Sequence, residues 1–188
     1  DDDGGVTTAT STAVISGAGV LNGTLYVIGT EQADQVTINT QGNGLYKVHA
    51  NFFPNNVPFK TFSTAGVTDI LVVMCDGDDQ ATISGKILVP AVMDGGDGDD
   101  HLNGGAGGNV IYGGAGNDHL NGGSGRDILI GGLGEDRAVG NSGDDILIGG
   151  TTDFDDDYDG LLSLLANVGA LTSATAHDDD AIDVLTGS

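Results

Sequence analysis

Glycine-rich polar stretches alternate with short segments that have an apolar middle residue between residues 95 and 150. Six nine-residue frames run in register there, beginning at Gly95, Gly104, Gly113, Gly122, Gly131 and Gly140. The last three residues of each frame are long enough for a short strand, whose middle side chain points to one side of it. We therefore expect a core ladder formed by Leu102, Ile111, Leu120, Leu129, Ala138 and Leu147.

The residues that flank this ladder differ in character between alternate frames. Side chains alternate in direction along a strand, so the flanking residues point outward if the chain turns after every frame. The apolar outer face then consists of Val110, Tyr112, Ile128, Ile130, Ile146 and Ile148. The polar outer face consists of His101, Asn103, His119, Asn121, Arg137 and Val139. Because a large exposed apolar patch normally marks a contact surface, we expect the C-terminal segment or another subunit to cover the apolar outer face.

Residues 20–93 are also β-rich, but their pattern is looser. Strands are predicted at Leu25–Ile28, Val36–Ile38, Leu45–Ala50, Ile70–Met74, Ala81–Ile83 and Ile87–Val89. Two degenerate frames, GTEQADQVTI and CDGDDQATI, each place an aspartate before an alternating apolar strand. We interpret this region as a broader β-helix or sandwich that caps the repeats, with Asp79 as an additional metal ligand and Asp34 as a weaker candidate.

The repeat frame breaks after residue 150. Asp155 to Gly160 fits D-x-D-x-D-G, the opening of a calcium loop, but the twelfth position is Ala166 instead of glutamate. We therefore expect either an incomplete calcium loop or an acidic helix cap. The candidate ligands of the loop are Asp153, Asp155 and Asp157. Helical spacing then predicts one short helix that ends at Gly169 and covers the apolar outer face or caps the repeats. Its apolar positions are Leu161, Leu162, Leu165 and Val168, and DVLTG at 183–187 resembles the end of one more frame.

Composition points to cations as partners. The 188 residues, enough for one domain, include 28 acidic and 5 basic side chains and carry a formal net charge of −23. Such a charge disfavours nucleic acid and destabilises a compact chain unless positive ions lie among the carboxylates. Cys75 is the single cysteine, so no intrachain disulfide is expected. The chain begins at Asp1 without Met or a signal peptide, which is typical of a processed product or of a piece of a longer protein.

The frames supply the oxygen ligands that Ca²⁺ prefers, roughly six to eight per ion. Four frames match G-G-x-G-x-D completely, while Asn109 replaces the acid in the second and Asn141 replaces a glycine in the sixth. Candidate side-chain ligands are Asp100, Asn109, Asp118, Asp127, Asp136 and Asp145. Candidate carbonyl ligands lie at the first and third frame positions: Gly95, Asp97, Gly104, Ala106, Gly113, Ala115, Gly122, Ser124, Gly131 and Leu133.

Residues 95–150 resemble the RTX (repeat-in-toxin) calcium-binding family, whose nonapeptide these frames follow. The resemblance implies an all-β fold: a parallel β-roll, or β-solenoid, that binds about four to seven Ca²⁺ ions between loops two frames apart. It pairs Asp100 with Asp118, Asp118 with Asp136, Asn109 with Asp127, and Asp127 with Asp145, and the Asn109 site is expected to be the weakest. The predicted organisation is an extended segment at 1–19, a β-rich region at 20–93, the roll at 94–150, and an acidic loop, helix and partial repeat at 151–188.

Three functions remain open on the sequence. No nucleophile elbow, HExxH motif or phosphate-binding loop is present, so we expect no enzyme. The first hypothesis is an extracellular or cell-surface structural protein that folds on Ca²⁺ and self-associates into a layer, matrix or filament, through the apolar outer face or the roll ends. The second is the secretion and folding module of a larger exported enzyme or toxin. The third is a ligand-binding adhesin.

Overall fold

The computed structural model describes residues 16–153, 160–161, 163–164, 176–177, 181 and 183–187. In this part of the chain nearly all regular structure is strand. The strands are β1 (Gly17–Leu21), β2 (Thr24–Ile28), β3 (Gln35–Gln41), β4 (Leu45–Ala50), β5 (Phe59–Ser63), β6 (Asp69–Val73), β7 (Gln80–Ile83), β8 (Ala91–Asp97), β9 (His101–Asn103), β10 (Asn109–Ala115), β11 (His119–Ser124), β12 (Ile128–Leu133), β13 (Arg137–Ser142), β14 (Ile146–Ile148), β15 (Thr151–Thr152), β16 (Ala176–His177) and β17 (Val184–Thr186). A 3₁₀ turn at Pro54–Asn56 precedes β5.

Two sheets enclose one core. The first has the spatial order β1-β2-β6-β8-β10-β12-β14, and the second has the order β17-β13-β11-β9-β7-β3-β4-β5. From β6 to β14 and from β7 to β17 all neighbouring strands are parallel. Frames two apart are in register, so that Ile111 lies opposite Leu129 and Leu120 opposite Ala138. The chain therefore forms the predicted all-β parallel solenoid.

Most repeat strands are longer than three residues. The pairing of β10 with β12 continues past Tyr112 and Ile130 into the next frame, where Gly114 lies opposite Gly132. The backbone hydrogen-bond ladder thus runs through the glycine pairs. Without Cβ atoms at these positions, successive turns of the solenoid, here called rungs, can approach each other closely.

The region upstream of the repeats continues both sheets. β2 pairs in parallel with β6 and β3 with β7, while β1, β4 and β5 add antiparallel strands at the outer edges. Five of the six predicted strands are confirmed, but the prediction at Ile87–Val89 is wrong. That segment connects β7 to β8, and the Ile87 carbonyl accepts hydrogen bonds from the N–H groups of Ala106 and Gly107 at 2.9 and 3.1 Å. Ile87 is buried in this connection, whereas Leu88 beside it is exposed. β1, β5 and β8 were not predicted.

The core ladder is confirmed over most of its length. Leu102, Ile111, Leu120, Leu129 and Ala138 are buried in one cluster, which extends upstream to side chains of β2, β3, β6 and β7. Leu147 is only partly buried, because it lies on β14 at the edge of its sheet. No helix in the described residues is long and apolar enough to cross a membrane.

The C-terminal segment packs against the apolar outer face. Gly160, Leu161, Ser163 and Leu164 are helical, and the side chains of Leu161 and Leu164 form a second buried cluster with Val110, Ile128 and Ile130. Of the two covers proposed from the sequence, the described residues show the C-terminal segment. Leu164, which lay outside the predicted apolar stripe, is fully buried. The predicted stripe positions Leu162, Leu165 and Val168, and the predicted end at Gly169, lie outside the described residues.

This cover weakens the case for self-association through the apolar outer face. Val110, Ile128 and Ile130 are at most 1% exposed, so no large bare patch remains at these three positions. Tyr112, Ile146 and Ile148 are partly buried against the same cluster. The polar outer face stays open, and the rings of His101 and His119 stack on it with centroids 4.5 Å apart.

Candidate metal centre

The repeat aspartates form a hydrogen-bonded column along one edge of the solenoid. In each rung the aspartate backbone N–H donates to Oδ1 of the aspartate in the next rung, and the distance is 2.8 Å from Asp100 to Asp118 and from Asp118 to Asp136. The same bond joins rungs on both sides of these three. The first column therefore comprises Asp34, Asp79, Asp100, Asp118, Asp136 and Asp183.

A second column lies along the other edge. Asn109 N–H donates to Asp127 Oδ1 at 2.8 Å, and Asp127 N–H donates to Asp145 Oδ1 at 3.0 Å. The Asn109 side chain differs from an aspartate, because its Nδ2 donates to the carbonyl oxygens of Gly107 and Gly122 and to Asp127 Oδ1 at 2.8, 3.0 and 2.9 Å. The Asn109 amide nitrogen thus donates hydrogen bonds to oxygen atoms that would otherwise face a cation. The weak Asn109 site remains a prediction, and this geometry supplies a physical reason for it.

The second carboxylate oxygen is buried and lacks a hydrogen-bond donor at several positions of both columns. A buried charged oxygen without a partner is costly, and such atoms are uncommon in folded proteins. Within the described residues, the unpartnered Oδ2 atoms include those of Asp79, Asp100, Asp118, Asp127 and Asp145. The same feature recurs from rung to rung, as expected of a row of equivalent cation-binding positions.

The glycine at the first frame position lies beside each of these oxygens. A methyl group on Gly95 would overlap both Asp100 Oδ2 and the Gly113 carbonyl oxygen, and one on Gly113 would overlap both Asp118 Oδ2 and the Gly131 carbonyl oxygen. A carboxylate oxygen and a carbonyl oxygen from the next rung therefore converge on one small space. Such all-oxygen surroundings fit Ca²⁺, whereas zinc prefers nitrogen and sulfur ligands.

Burial shifts the protonation of these carboxyl groups. It raises the pKa of Asp100 to about 8, those of Asp79 and Asp118 to about 7, and that of Asp127 to about 6. The backbone hydrogen bond that each accepts lowers the pKa, and neighbouring carboxylates in the column raise it again. The ionised forms thus need a nearby positive charge, which a bound cation supplies.

Carbonyls at the third frame position link successive rungs. Gly98 N–H donates to the Ala115 carbonyl and Gly116 N–H to the Leu133 carbonyl, both at 2.8 Å. The Asp97 carbonyl accepts a hydrogen bond from Gly77 N–H at 2.7 Å. Each oxygen keeps a second lone pair, so these bonds leave it able to bind a cation as well. Ala106 and Ser124 occupy the same frame position in the second column. Gly104 and Gly122 lie beside the side chains of Asn109 and Asp127, as Gly131 lies beside Asp136.

The structure adds Asp183 to the predicted ligands. Its Oδ1 accepts the Asp136 N–H at 2.9 Å, and a methyl group on Gly149 would overlap its Oδ2. Gly149 and Asp183 thus complete one frame across the insertion at 150–182. The partial repeat at 183–187 was the available signal, and β17 confirms it by pairing with β13.

The predicted ligands after residue 150 do not join either column among the described residues. Asp153 is exposed and pairs with His177 Nε2 at 2.8 Å. Asp155 and Asp157 lie outside the described residues.

Backbone oxygens would have to provide much of any coordination shell. Within the part of the chain that the structure describes, no three histidine, cysteine or acidic side chains converge on one point. Two aspartates from successive rungs and the backbone carbonyls of the glycine-rich turns suit Ca²⁺, a hard cation that tolerates varied ligand geometry.

The stacked rungs and the oxygen-lined turns define a cation-binding β-solenoid. A family model described as RTX calcium-binding nonapeptide repeat (4 copies) matches residues 94–129 and 130–153. With the parallel stacking, this match identifies the segment as an RTX β-roll with calcium-binding repeats. No curated protein and no solved structure matched the chain.

Proposed function

We propose that this protein is a non-enzymatic, extracellular or cell-surface structural protein whose roll folds when it binds Ca²⁺ and associates with further copies through its C-terminal end. The observation that carries the proposal is the row of buried, unpartnered aspartate oxygens beside carbonyl oxygens. These groups favour the folded chain only when a cation joins them.

Calcium binding then acts as a folding switch. A ligand that binds the folded state alone stabilises it by RT ln(1 + [L]/Kd), so several sites add their contributions. Without Ca²⁺ the net charge of −23 and the buried carboxylates oppose compaction. Low cytosolic calcium would leave the repeats unfolded and exportable, and the higher concentration outside the cell would fold them.

The C-terminal end of the roll supports self-association better than the covered apolar outer face. There β17 pairs with β13, and Val184 and Leu185 are 51% and 45% exposed. A strand at the edge of a sheet presents backbone groups that pair readily with another chain. The opposite end of the solenoid carries the antiparallel strands β1 and β5 at its edges.

Sedimentation and negative-stain microscopy of the full chain test this proposal, with millimolar Ca²⁺ and then with excess chelator. We expect assemblies in Ca²⁺ that dissolve in chelator. Leu185→Lys on β17 should abolish assembly and preserve calcium-induced folding. Leu88→Lys, which changes an exposed leucine in the β7–β8 connection, should assemble normally.

A compact monomer in Ca²⁺ with an expanded chain in chelator would overturn self-association. That result would favour the second candidate, a calcium-dependent secretion and folding module of a larger exported protein, because the same unpartnered carboxylates support both. A chain that is equally compact without Ca²⁺ would contradict the switch itself.

A further inference from the structure

The turn at residues 74–79 stacks on the first repeat although it lies outside the matched repeats. Gly77 N–H donates to the Asp97 carbonyl at 2.7 Å, as Gly98 N–H donates to the Ala115 carbonyl at 2.8 Å. Asp79 N–H donates to Asp100 Oδ1 at 2.8 Å, which is the column bond of the repeats. Residues 74–79 are therefore one more turn of the solenoid, with Met74 and Cys75 where the repeats have two glycines.

Cys75 keeps the backbone geometry that this frame position requires. Its φ is 76°, in the region that favours glycine, and the corresponding Gly96 and Gly114 have φ values of 99° and 113°. A non-glycine residue at positive φ is uncommon and persists only when its surroundings impose it. The stacking of the two turns thus overrides the local preference of the residue.

Asp79 brings an unpartnered oxygen into this turn. The residue is 3% exposed, its Oδ1 accepts the Asp34 N–H at 2.6 Å, and its Oδ2 is buried without a partner. The turns at 74–79 and 95–100 together carry six aspartates and no basic residue: Asp76, Asp78, Asp79, Asp97, Asp99 and Asp100. A buried oxygen without a donor in this acidic setting favours a bound cation, as it does in the repeats.

The next rung upstream solves the same problem without a cation. Asp34 is also 3% exposed, but its Oδ2 accepts hydrogen bonds from Thr30 N–H and Thr30 Oγ1 at 2.6 and 2.9 Å. The surroundings otherwise match, because a methyl group on Gly29 would meet the Met74 carbonyl oxygen and Asp34 Oδ2. The side chain of Thr30 supplies a donor that glycine at the corresponding repeat position lacks.

We propose that a Ca²⁺ ion binds between the turns at 74–79 and 95–100, with Asp79 and Asp100 as side-chain ligands, and that the first column of ions ends there because Thr30 satisfies Asp34. The proposal rests on the calcium binding proposed for the roll. Its consequence is that calcium holds the upstream sheets to the repeats, in addition to folding the repeats themselves.

A crystal of the unaltered chain grown with Ca²⁺, and an equivalent one with the anomalous scatterer Tb³⁺, would test the position directly. We expect an ion between Asp79 and Asp100 and none beside Asp34 Oδ2. Ions in the repeats without one at Asp79 would overturn this inference and leave the proposed function intact. No ions in either place would overturn both.

Ion counting on full-chain variants provides a second test that does not need crystals. By equilibrium dialysis, Asp79→Asn should bind one Ca²⁺ fewer than the unaltered chain, as should Asp145→Asn at the end of the second column. Asp34→Asn should bind the same number as the unaltered chain. An unchanged count for Asp79→Asn, with a loss for Asp145→Asn, would refute the site.

Discussion

Asp34 and Asp118 occupy equivalent buried positions in two rungs of the first column, but their carboxylates have different hydrogen-bond partners. Asp34 Oδ2 receives two hydrogen bonds from Thr30, whereas Asp118 Oδ2 receives none and lies beside Gly113 and the Gly131 carbonyl oxygen. One solenoid thus contains a rung in which the chain supplies donors to the buried carboxylate oxygen and a rung in which it does not. A donor within the turn therefore decides whether the buried aspartate oxygen has a partner inside the chain.

Removing calcium should have the largest effect. Each site occupied at a thousandfold excess over its Kd contributes about 4 kcal/mol, and several sites act together. We expect excess chelator to abolish hydrogen-exchange protection in β9 to β14, while β2 to β4 keep part of theirs. Equal loss of protection in both regions would contradict the distinction between the two kinds of rung.

Ile128→Lys should destabilise the chain in Ca²⁺ by about 3–5 kcal/mol, because it buries an unpaired charge beneath Leu161 and Leu164. The matched control is His119→Lys, at an exposed position of the polar outer face, where loss of the ring stacking with His101 should cost only about 0.5–1.5 kcal/mol. Denaturant unfolding measures both. Similar losses for the two variants would contradict the difference between the outer faces.

The effect of Asp118→Asn on the stability of the fold should change sign with calcium. In Ca²⁺ the variant loses a charged ligand, so its melting temperature should fall. In calcium-free buffer near pH 8 the variant should retain more folded repeat structure than the unaltered chain, because the amide carries no buried charge and the carboxylate it replaces has a pKa of about 7. Thermal unfolding in Ca²⁺ and circular dichroism in chelator measure the effect, and a loss of folded structure in both conditions would contradict the change of sign.

Acidification should stabilise the calcium-free chain. The folded pKa values of about 6 to 8 at Asp127, Asp79, Asp118 and Asp100 lie above the unfolded value, so their contribution to stability is full below about pH 4 and is lost as the pH rises through those values. With Ca²⁺ the trend should reverse over the same window, because protons compete with the ions. Melting curves at about pH 5 and pH 8 measure both trends. Parallel trends in the two buffers would refute this competition.

Thr30→Val should have the smallest effect, about 1–3 kcal/mol, and the loss should be equal with Ca²⁺ and with chelator. It removes the hydroxyl donor to Asp34 and no calcium ligand. Thr40→Val, at an exposed position of β3, is the control and should be nearly silent. A loss confined to the calcium condition would mean that the Asp34 rung also depends on an ion.

Much of the repeat region could be predicted because its information is local. The nine-residue period and the alternation of side chains placed Leu120 in the core, Ile128 on the apolar outer face and Asp118 at a turn. Ile87–Val89 was misassigned because a short apolar run does not distinguish a strand from a buried turn. Asp183 was not assigned as a ligand because 33 residues, 150–182, separate it from Gly149, the rest of its frame.

The nine-residue period and the oxygen-rich chemistry of the turns can be read from the amino-acid sequence, since each follows from residues within one or two frames, whereas the parallel stacking of alternate frames was implied by the resemblance to RTX repeats. The fold was needed to show that Thr30 completes the Asp34 rung, that the degenerate frame at 74–79 stacks on the first repeat, and that the C-terminal segment, through Leu161 and Leu164, is the cover of the apolar outer face. Donors, stacking and burial depend on which distant segments come together in space, and a local pattern does not fix which of the possible contacts forms.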